Sequence, residues 1–285
     1  MFGAYEFFQI AKKYDGNENP LVKPIIGIEA YVAPSSRHSR KQEFWGRRRG
    51  DGGDPDAERG KDVSGGGRYT HMTMWARNPT GLHNLFTLSS LASYEGYYMK
   101  PRMDREIISQ YNEGVIASTG CPSGEVQTRL RLGQFDEAVE TAGAYQELFG
   151  KDHYFCELMD HGVPIERQVR SDLLRLAKKI DAPLLLTNDS HYVNEDDADA
   201  HDSLLCVGVG RNKDDPDRFR FNGSGYYIKS SDEMRSLFPD MPEAADNTLA
   251  LTEMIESYDD VFAHVDRMPQ FDVPEGETQE SWLRK

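Results

Sequence analysis

The sequence predicts an α/β fold, and three observations carry that prediction. Short apolar runs at 24–32, 71–76, 114–121, 153–159 and 182–192 are each bounded by turn formers and are too short for helices. Longer segments with apolar residues at helical spacing alternate with them, the pattern of strand–helix–strand crossover units in a parallel sheet. No Gly-x-Gly-x-x-Gly motif follows any run, so a dinucleotide-binding sheet is not indicated.

Bulk properties set outer limits. The 285 residues carry a formal net charge of −15. Phosphates are repelled by such a surface, so any contact with DNA has to be local, at a basic patch or a metal. No apolar run is long enough to span a bilayer, and the chain opens without a basic segment followed by an apolar one. Cys121, Cys156 and Cys206 are odd in number and far apart, which points to reduced thiols and a cytoplasmic setting.

Taken in order, residues 1–13 place Phe2, Tyr5, Phe8 and Ile10 at helical spacing without a cap, as if the helix had been cut from a longer polypeptide. The run 24–32 sets Glu29 among Ile and Val. A carboxylate there is costly to bury ionised, so it is expected to be paired or a ligand. From 35 to 67 the composition turns to Arg, Gly, Asp and Ser, a flexible insertion too polar to bury anything. Its basic half, Arg37, Arg40, Lys41, Arg47, Arg48 and Arg49, has Phe44 and Trp45 interleaved, a combination able to hold phosphate and stack on a base, or simply a solvated loop.

His71 stands at the edge of the next strand beside a glycine loop, and a helix is expected near 81–93. The run 114–121 delivers Cys121 to a helix beginning near Pro122, where the helix dipole would favour thiolate and suit a metal ligand or nucleophile; Cys156 and Cys206, inside apolar runs, read as buried spectators. Helices are expected at 135–149, 165–180 and 197–207, the last containing His201 as a packed residue. In 182–192, Asp189 and His191 are two apart at the end of a leucine run, so both point to one face. They form either a metal site or a hydrogen-bonded pair closing a turn. Glu29, Cys121, Asp189 and His191 all lie late in strands or just after them, the face on which (β/α) barrels build active sites.

Four segments in this order, Ile-Ile-Gly-Ile-Glu-Ala-Tyr-Val, Ala-Ser-Thr-Gly-Cys-Pro-Ser-Gly-Glu, Tyr-Phe-Cys-Glu-Leu-Met-Asp-His-Gly and Leu-Thr-Asn-Asp-Ser-His-Tyr, resemble the polymerase and histidinol phosphatase (PHP) family. The resemblance is closest to the type found in alpha subunits of bacterial replicative DNA polymerase III. It implies a distorted seven-stranded (β/α) barrel with up to three divalent metals, zinc or manganese. Glu29, His71, Cys121, Asp189 and His191 fall on ligand positions, with Glu29, Asp189 and His191 acting catalytically through metal. It further implies 3′-5′ proofreading exonuclease activity on a DNA primer end, in a parent that is a DNA-directed DNA polymerase with its own Mg²⁺ site. Clustered metals supply a hydroxide at neutral pH and neutralise charge on a phosphodiester.

The family's opening His-x-His and Thr-Asp-His-Gly-Asn segments have no counterpart here, which leaves four of nine ligand positions unfilled. The expectation is therefore an internal fragment, inactive alone and holding no metal or one. The expected layout is a barrel over 1–230 with the insertion at 35–67, closing helices over 231–258, and a connector over 259–285 toward the polymerase palm and thumb, absent here. Expected partners are the primer 3′ end, the rest of the alpha subunit, the sliding clamp and other replisome subunits, with no membrane. Two alternatives stand beside the exonuclease: an inactive module bracing the polymerase, and a free PHP phosphatase.

Overall fold

A computed structural model describes residues 1–13, 22–46, 63–265 and 271–285. The first helix, α1 (Ala4–Lys13), precedes strand β1 (Gly27–Val32). A short turn, α2 (Ser64–Gly67), leads to β2 (Thr70–Ala76), and α3 (Pro79–Tyr94) to the two-residue strand β3 (Arg102–Met103). Next come α4 (Arg105–Gln110), β4 (Val115–Ser118), α5 (Glu125–Arg131), α6 (Phe135–Phe149) and β5 (Tyr154–Leu158). The chain continues through α7 (Pro164–Ile180), β6 (Leu184–Leu186), α8 (Ala198–Val209), α9 (Ser231–Leu237), α10 (Pro242–Met254), α11 (Asp259–Phe262) and α12 (Gln279–Leu283).

The strands form one six-stranded sheet in the order β3-β1-β2-β4-β5-β6. The class is therefore α/β, but uniform parallel crossovers do not hold: β2 runs antiparallel to both β1 and β4. No helix long enough to serve as a crossover is described between β1 and β2, and without one a strand can return only antiparallel. Among the described residues the sheet stays open between β3 and β6, with no closed barrel. The free side of β6 is covered by α10, where the Asn247 amide donates to the Leu184 carbonyl at 2.7 Å. That bond satisfies an acceptor which an edge strand otherwise leaves exposed.

Strand periodicity sorts the two faces of the sheet. Along β2, Thr70, Met72, Met74 and Ala76 are buried, whereas His71, Thr73 and Trp75 are only partly so. The buried set packs against Leu82, Leu85 and Leu88 of α3. His71 and Thr73 project to the opposite, partly solvent-open side with Glu29 and Tyr31 of β1, the cleft face, while Trp75 packs against the core. Helix α7 turns Val169, Leu173, Leu176 and Ala177 inward, each large side chain contributing roughly 1.5–3 kcal/mol. In α1 the helical face is narrower than the sequence suggests: Phe8 is buried against Phe262, while Phe2, Tyr5 and Ile10 remain exposed.

Helix α3 starts where Asn78 and Pro79 dictate. The Asn78 side chain accepts from the Gly81 amide at 2.9 Å, and Pro79 has no amide to satisfy. Gly81 is required for a different reason, because a Cβ there would lie 1.8 Å from the Gly114 carbonyl oxygen. Gly81→Ala should therefore lower stability by about 2 kcal/mol through overpacking, read as a shift in urea midpoint at constant slope.

The insertion expected to be flexible is described only at its two flanks. Residues 47–62, including Arg47, Arg48 and Arg49, lie outside the described residues, but both flanks are anchored. The buried Arg102 guanidinium donates to the carbonyls of Arg37, Ser39, Arg68 and Gly96 at 2.7–3.1 Å. Val63 is buried at 1% exposure, and the Glu43 amide donates to the Gly67 carbonyl at 2.8 Å. A polar loop is held here by a buried cation that collects its carbonyls, a tertiary bond that composition does not reveal.

Candidate metal centre

Glu29 and His71 come from the antiparallel pair β1–β2. In its register Glu29 faces Thr73 and Tyr31 faces His71, so all four side chains project to the cleft face. Glu29 is not buried among its Ile and Val neighbours: its side chain is 42% exposed, because alternation sends Ala30 and Val32 to the opposite face. His71 Nδ1 lies 2.5 Å from Glu29 Oε1, and its ring stacks on Tyr69 and meets the edge of Tyr31. Its backbone amide donates to the Ser123 carbonyl at 3.1 Å, which joins β2 to the loop after β4.

That loop supplies Cys121. Its Sγ lies 3.4 Å from His71 Nδ1 and 3.9 Å from Glu29 Oε1. One ligand atom from each of the three residues falls within 4.8 Å of the others. Ligands at roughly 2.0–2.3 Å from one ion must lie about this close together, so the nitrogen, oxygen and sulfur set fits a single divalent metal of zinc type. The sequence-based view of the thiol needs correcting, since burial pushes Cys121 well above the ordinary cysteine range and the Glu29 and Asp189 carboxylates push it further. Helix α5 begins only at Glu125, too far along to dominate.

Asp189 and His191 follow β6, with Asp189 Oδ1 3.4 Å from His191 Nε2. Burial acts to raise Asp189, but the hydrogen bond and positive charge of His191 outweigh it and leave the carboxyl below its usual range. His191 is raised by the same hydrogen bond. Asp189 and His191 stand outside the group of three whose ligand atoms lie within 4.8 Å of one another, and they are coupled to it electrostatically: Asp189 acts on Cys121, His71 acts on Asp189, and Glu29 acts on His191. Asp189 also adopts a left-handed backbone, φ 42°, which costs a non-glycine residue free energy unless its neighbours enforce it.

The neighbours that enforce it are residues to which sequence reasoning attached no role. Asn188 donates to the Gly225 and Tyr227 carbonyls at 3.0 and 2.7 Å and accepts from Lys229 at 3.0 Å. Buried His161 contacts Glu166 through Nδ1 at 2.5 Å and the Asn188 carbonyl through Nε2 at 2.7 Å, with its ring stacked on Tyr226 at 4.0 Å. Tyr226 in turn accepts from the His191 amide at 2.8 Å. The Asp160-His161-Gly162 triplet was visible as part of a motif, but its partners arrive from distant segments.

Glu157 is the second omission. It sits in β5 at 4% exposure and accepts from Thr73 at 3.2 Å, from Thr187 at 2.6 Å, and from Ser118. One carboxylate thus ties together β2, β4 and the segment after β6, which carry His71, lead into the loop of Cys121 and carry Asp189, respectively.

A family model described as the PHP domain matches residues 1–161. The chain belongs to the PHP family. Glu29, His71 and Cys121 of this PHP chain lie inside the matched span, and Asp189 and His191 beyond it. The chain is also similar to the DNA polymerase III subunit alpha of Saccharopolyspora erythraea, 56% identical over 284 residues, covering 99% of this chain and 23% of that protein. The subunit of the same name from Mycobacterium tuberculosis is 52% identical over 286 residues, covering 100% and 23%. That of Thermus aquaticus is 36% identical over 291 residues, covering 100% and 22%. The PHP chain thus spans less than a quarter of these relatives.

The basic residues of the insertion divide. Arg37 is turned inward and ion-paired with Glu95, Asp104 and Glu106 at 2.7–3.1 Å, so its charge is used within the protein. Arg40 and Lys41 are exposed, and Arg40 lies over the Tyr98 ring. Arg37→Ala should destabilise the fold by about 3 kcal/mol, because it leaves the Asp104 carboxylate, 2% exposed, without its cation. Arg37→Lys should recover part of that loss, a difference readable in denaturant midpoints. Cys156 and Cys206 are buried, with burial pushing Cys156 up to about 12. No described helix is long and apolar enough to cross a membrane.

Proposed function

We propose that this chain is the PHP portion of a DNA polymerase III alpha subunit and that its cleft is the metal centre of a 3′-5′ exonuclease acting on the primer end. The observation that carries the reading is the convergence of Glu29 Oε1, His71 Nδ1 and Cys121 Sγ within 4.8 Å. Asp189 and His191, coupled electrostatically to these three, are the further donors that the family resemblance implies. A metal bound there supplies a nucleophile from water at neutral pH and neutralises phosphodiester charge. The protein's own contribution is to hold the donors: the β1–β2 register sets Glu29 against His71, and the His161 and Asn188 bonds fix the loop of Asp189.

The three converging donors could hold one zinc or manganese ion at most in this chain, with Asp189 and His191 beside them, and hydrolysis needs the four further ligands that the family resemblance implies. Those ligands would come from strands that complete a seven-stranded barrel. Residues 1–230 would then be the barrel, 231–258 its closing helices and 259–285 a connector to a Mg²⁺-dependent polymerase core in the cytoplasm. The sliding clamp and other replisome subunits would be reached through that core. A bracing role is a second reading, supported by the exposed apolar side chains Leu204 and Val207 on α8, a surface that suits docking against the rest of a larger polypeptide.

Elemental mass spectrometry of this chain, beside a version extended N-terminally by the ligand-bearing segments that the family resemblance implies, tests the assignment. One metal or fewer in the former and two or three in the latter is expected, with 3′-5′ hydrolysis only in the latter. His191→Ala in the extended protein should abolish hydrolysis while leaving the fold intact. Retained hydrolysis would remove the exonuclease reading, and folded protein without metal in either form would favour bracing.

A further inference from the structure

Beside His191 the structure holds a cavity of ≈ 290 Å³ walled by Tyr192, His201, Leu205 and Phe221, with Asp199 and Asp202 also in its lining. Its aromatic rings form a continuous set with the proposed metal ligand. His191 meets Phe221 at 4.6 Å and His201 at 5.4 Å, His201 meets Phe221 at 5.2 Å, and Tyr192 meets His201 at 5.3 Å. This cluster is not a core, since His201 and Phe221 are only partly buried and the adjoining Phe219 is 61% exposed. Rings gathered at a surface around an opening are placed to receive another ring.

The electrostatics of the wall allow an anionic ligand to enter. Asp202 is held by Arg218 in a two-pronged pair at 2.6 and 2.7 Å, and Asp199 is paired with Lys213 at 2.5 Å. The Tyr192 hydroxyl is buried and has no hydrogen-bond partner among the described residues, an unmet polar group in the wall. The volume sits at the lower end of small-ligand pockets, enough for one nucleoside and not for a base pair.

We propose that this cavity is a subsite for one unpaired nucleobase at a DNA 3′ end, stacked on Phe221 and His201 while its phosphate lies at the cleft on the His191 side. The inference rests on the metal-centre reading and adds to it a reason for acting on frayed ends: only a base freed from its partner can enter. Every base presents a π face, so the subsite accepts all four, and a single aromatic platform is worth roughly 10-fold in affinity.

The test titrates the 285-residue chain with thymidine 5′-monophosphate and with 2-deoxyribose 5-phosphate, in the presence and absence of Mn²⁺. The nucleotide should bind about 10-fold more tightly than the sugar phosphate. Phe221→Ala, and Phe221→Leu, which keeps volume but removes the ring, should cut that ratio below about 2-fold with manganese content unchanged. Equal affinity for the two ligands in the unsubstituted chain overturns the subsite, as does a preference that survives both substitutions. If Mn²⁺ strengthens neither ligand, the metal-centre reading fails separately, and thymidine against 2-deoxyribose then decides the base subsite alone.

Discussion

Cys121→Ser is expected to lower zinc affinity at least about 100-fold while leaving the fold in place. The thiol sits 3.4 Å from His71 Nδ1 and 3.9 Å from Glu29 Oε1 in a loop already fixed by backbone bonds, so exchanging sulfur for oxygen disturbs little except the donor. Serine keeps the shape but is a poor ligand for a borderline-soft ion, and outer partners of metal ligands alone are typically worth 10–100-fold. Competition with a chelator of known affinity measures the loss, and circular dichroism confirms the fold. Affinity within about 3-fold of the unsubstituted chain would remove Cys121 from the ligand set.

The second large effect is expected at Glu157. Glu157→Ala should destabilise the protein by about 3 kcal/mol, because it opens a cavity and strands the hydroxyls of Thr73, Ser118 and Thr187 together. Glu157→Gln keeps the volume and lets those hydroxyls rotate to new roles, and should cost about 1 kcal/mol. The alanine variant should also lose metal affinity about 10-fold, since the staple holds three ligand-bearing elements in register. The pH dependence gives a further readout. Burial raises the Glu157 carboxyl above its ordinary range, so its contribution is present at low pH and declines as pH rises from the usual carboxylate value through the raised one. In the glutamine variant that decline should vanish. Urea midpoints across pH, with an unchanged slope, provide both measurements.

These two residues also show where sequence reading reaches its limit. Glu29 and Glu157 carry the same signal, an acidic residue inside an apolar strand. Glu29 proves to be on the cleft face and 42% exposed on its side chain, and Glu157 is buried at 4%. Nothing local separates them, because both strands are apolar on either side of the carboxylate. What separates them is what the fold brings against each: Glu157 is enclosed by the Thr73, Ser118 and Thr187 hydroxyls, and Glu29 lies beside His71 and Cys121 with its side chain partly open to solvent. The basic insertion failed in the opposite direction, since Arg37 looked available for DNA and is consumed by Glu95, Asp104 and Glu106 from distant segments.

The sequence by itself determined the α/β class, the positions of the longer helices and the residue types able to bind metal. These are matters of period, turn chemistry and side-chain donors, all decided within a few neighbouring residues. Only the tertiary structure decided that β2 runs against its neighbours, that Glu29, His71 and Cys121 share one point, and that Asn188, His161 and Glu157 hold the donors there. These depend on groups brought together from well separated segments, as in the His161–Asn188 bond at a separation of 27, the Thr187–Glu157 bond at 30 and the Cys121–Glu29 contact at 92. Contacts of that range exist only once the chain has folded.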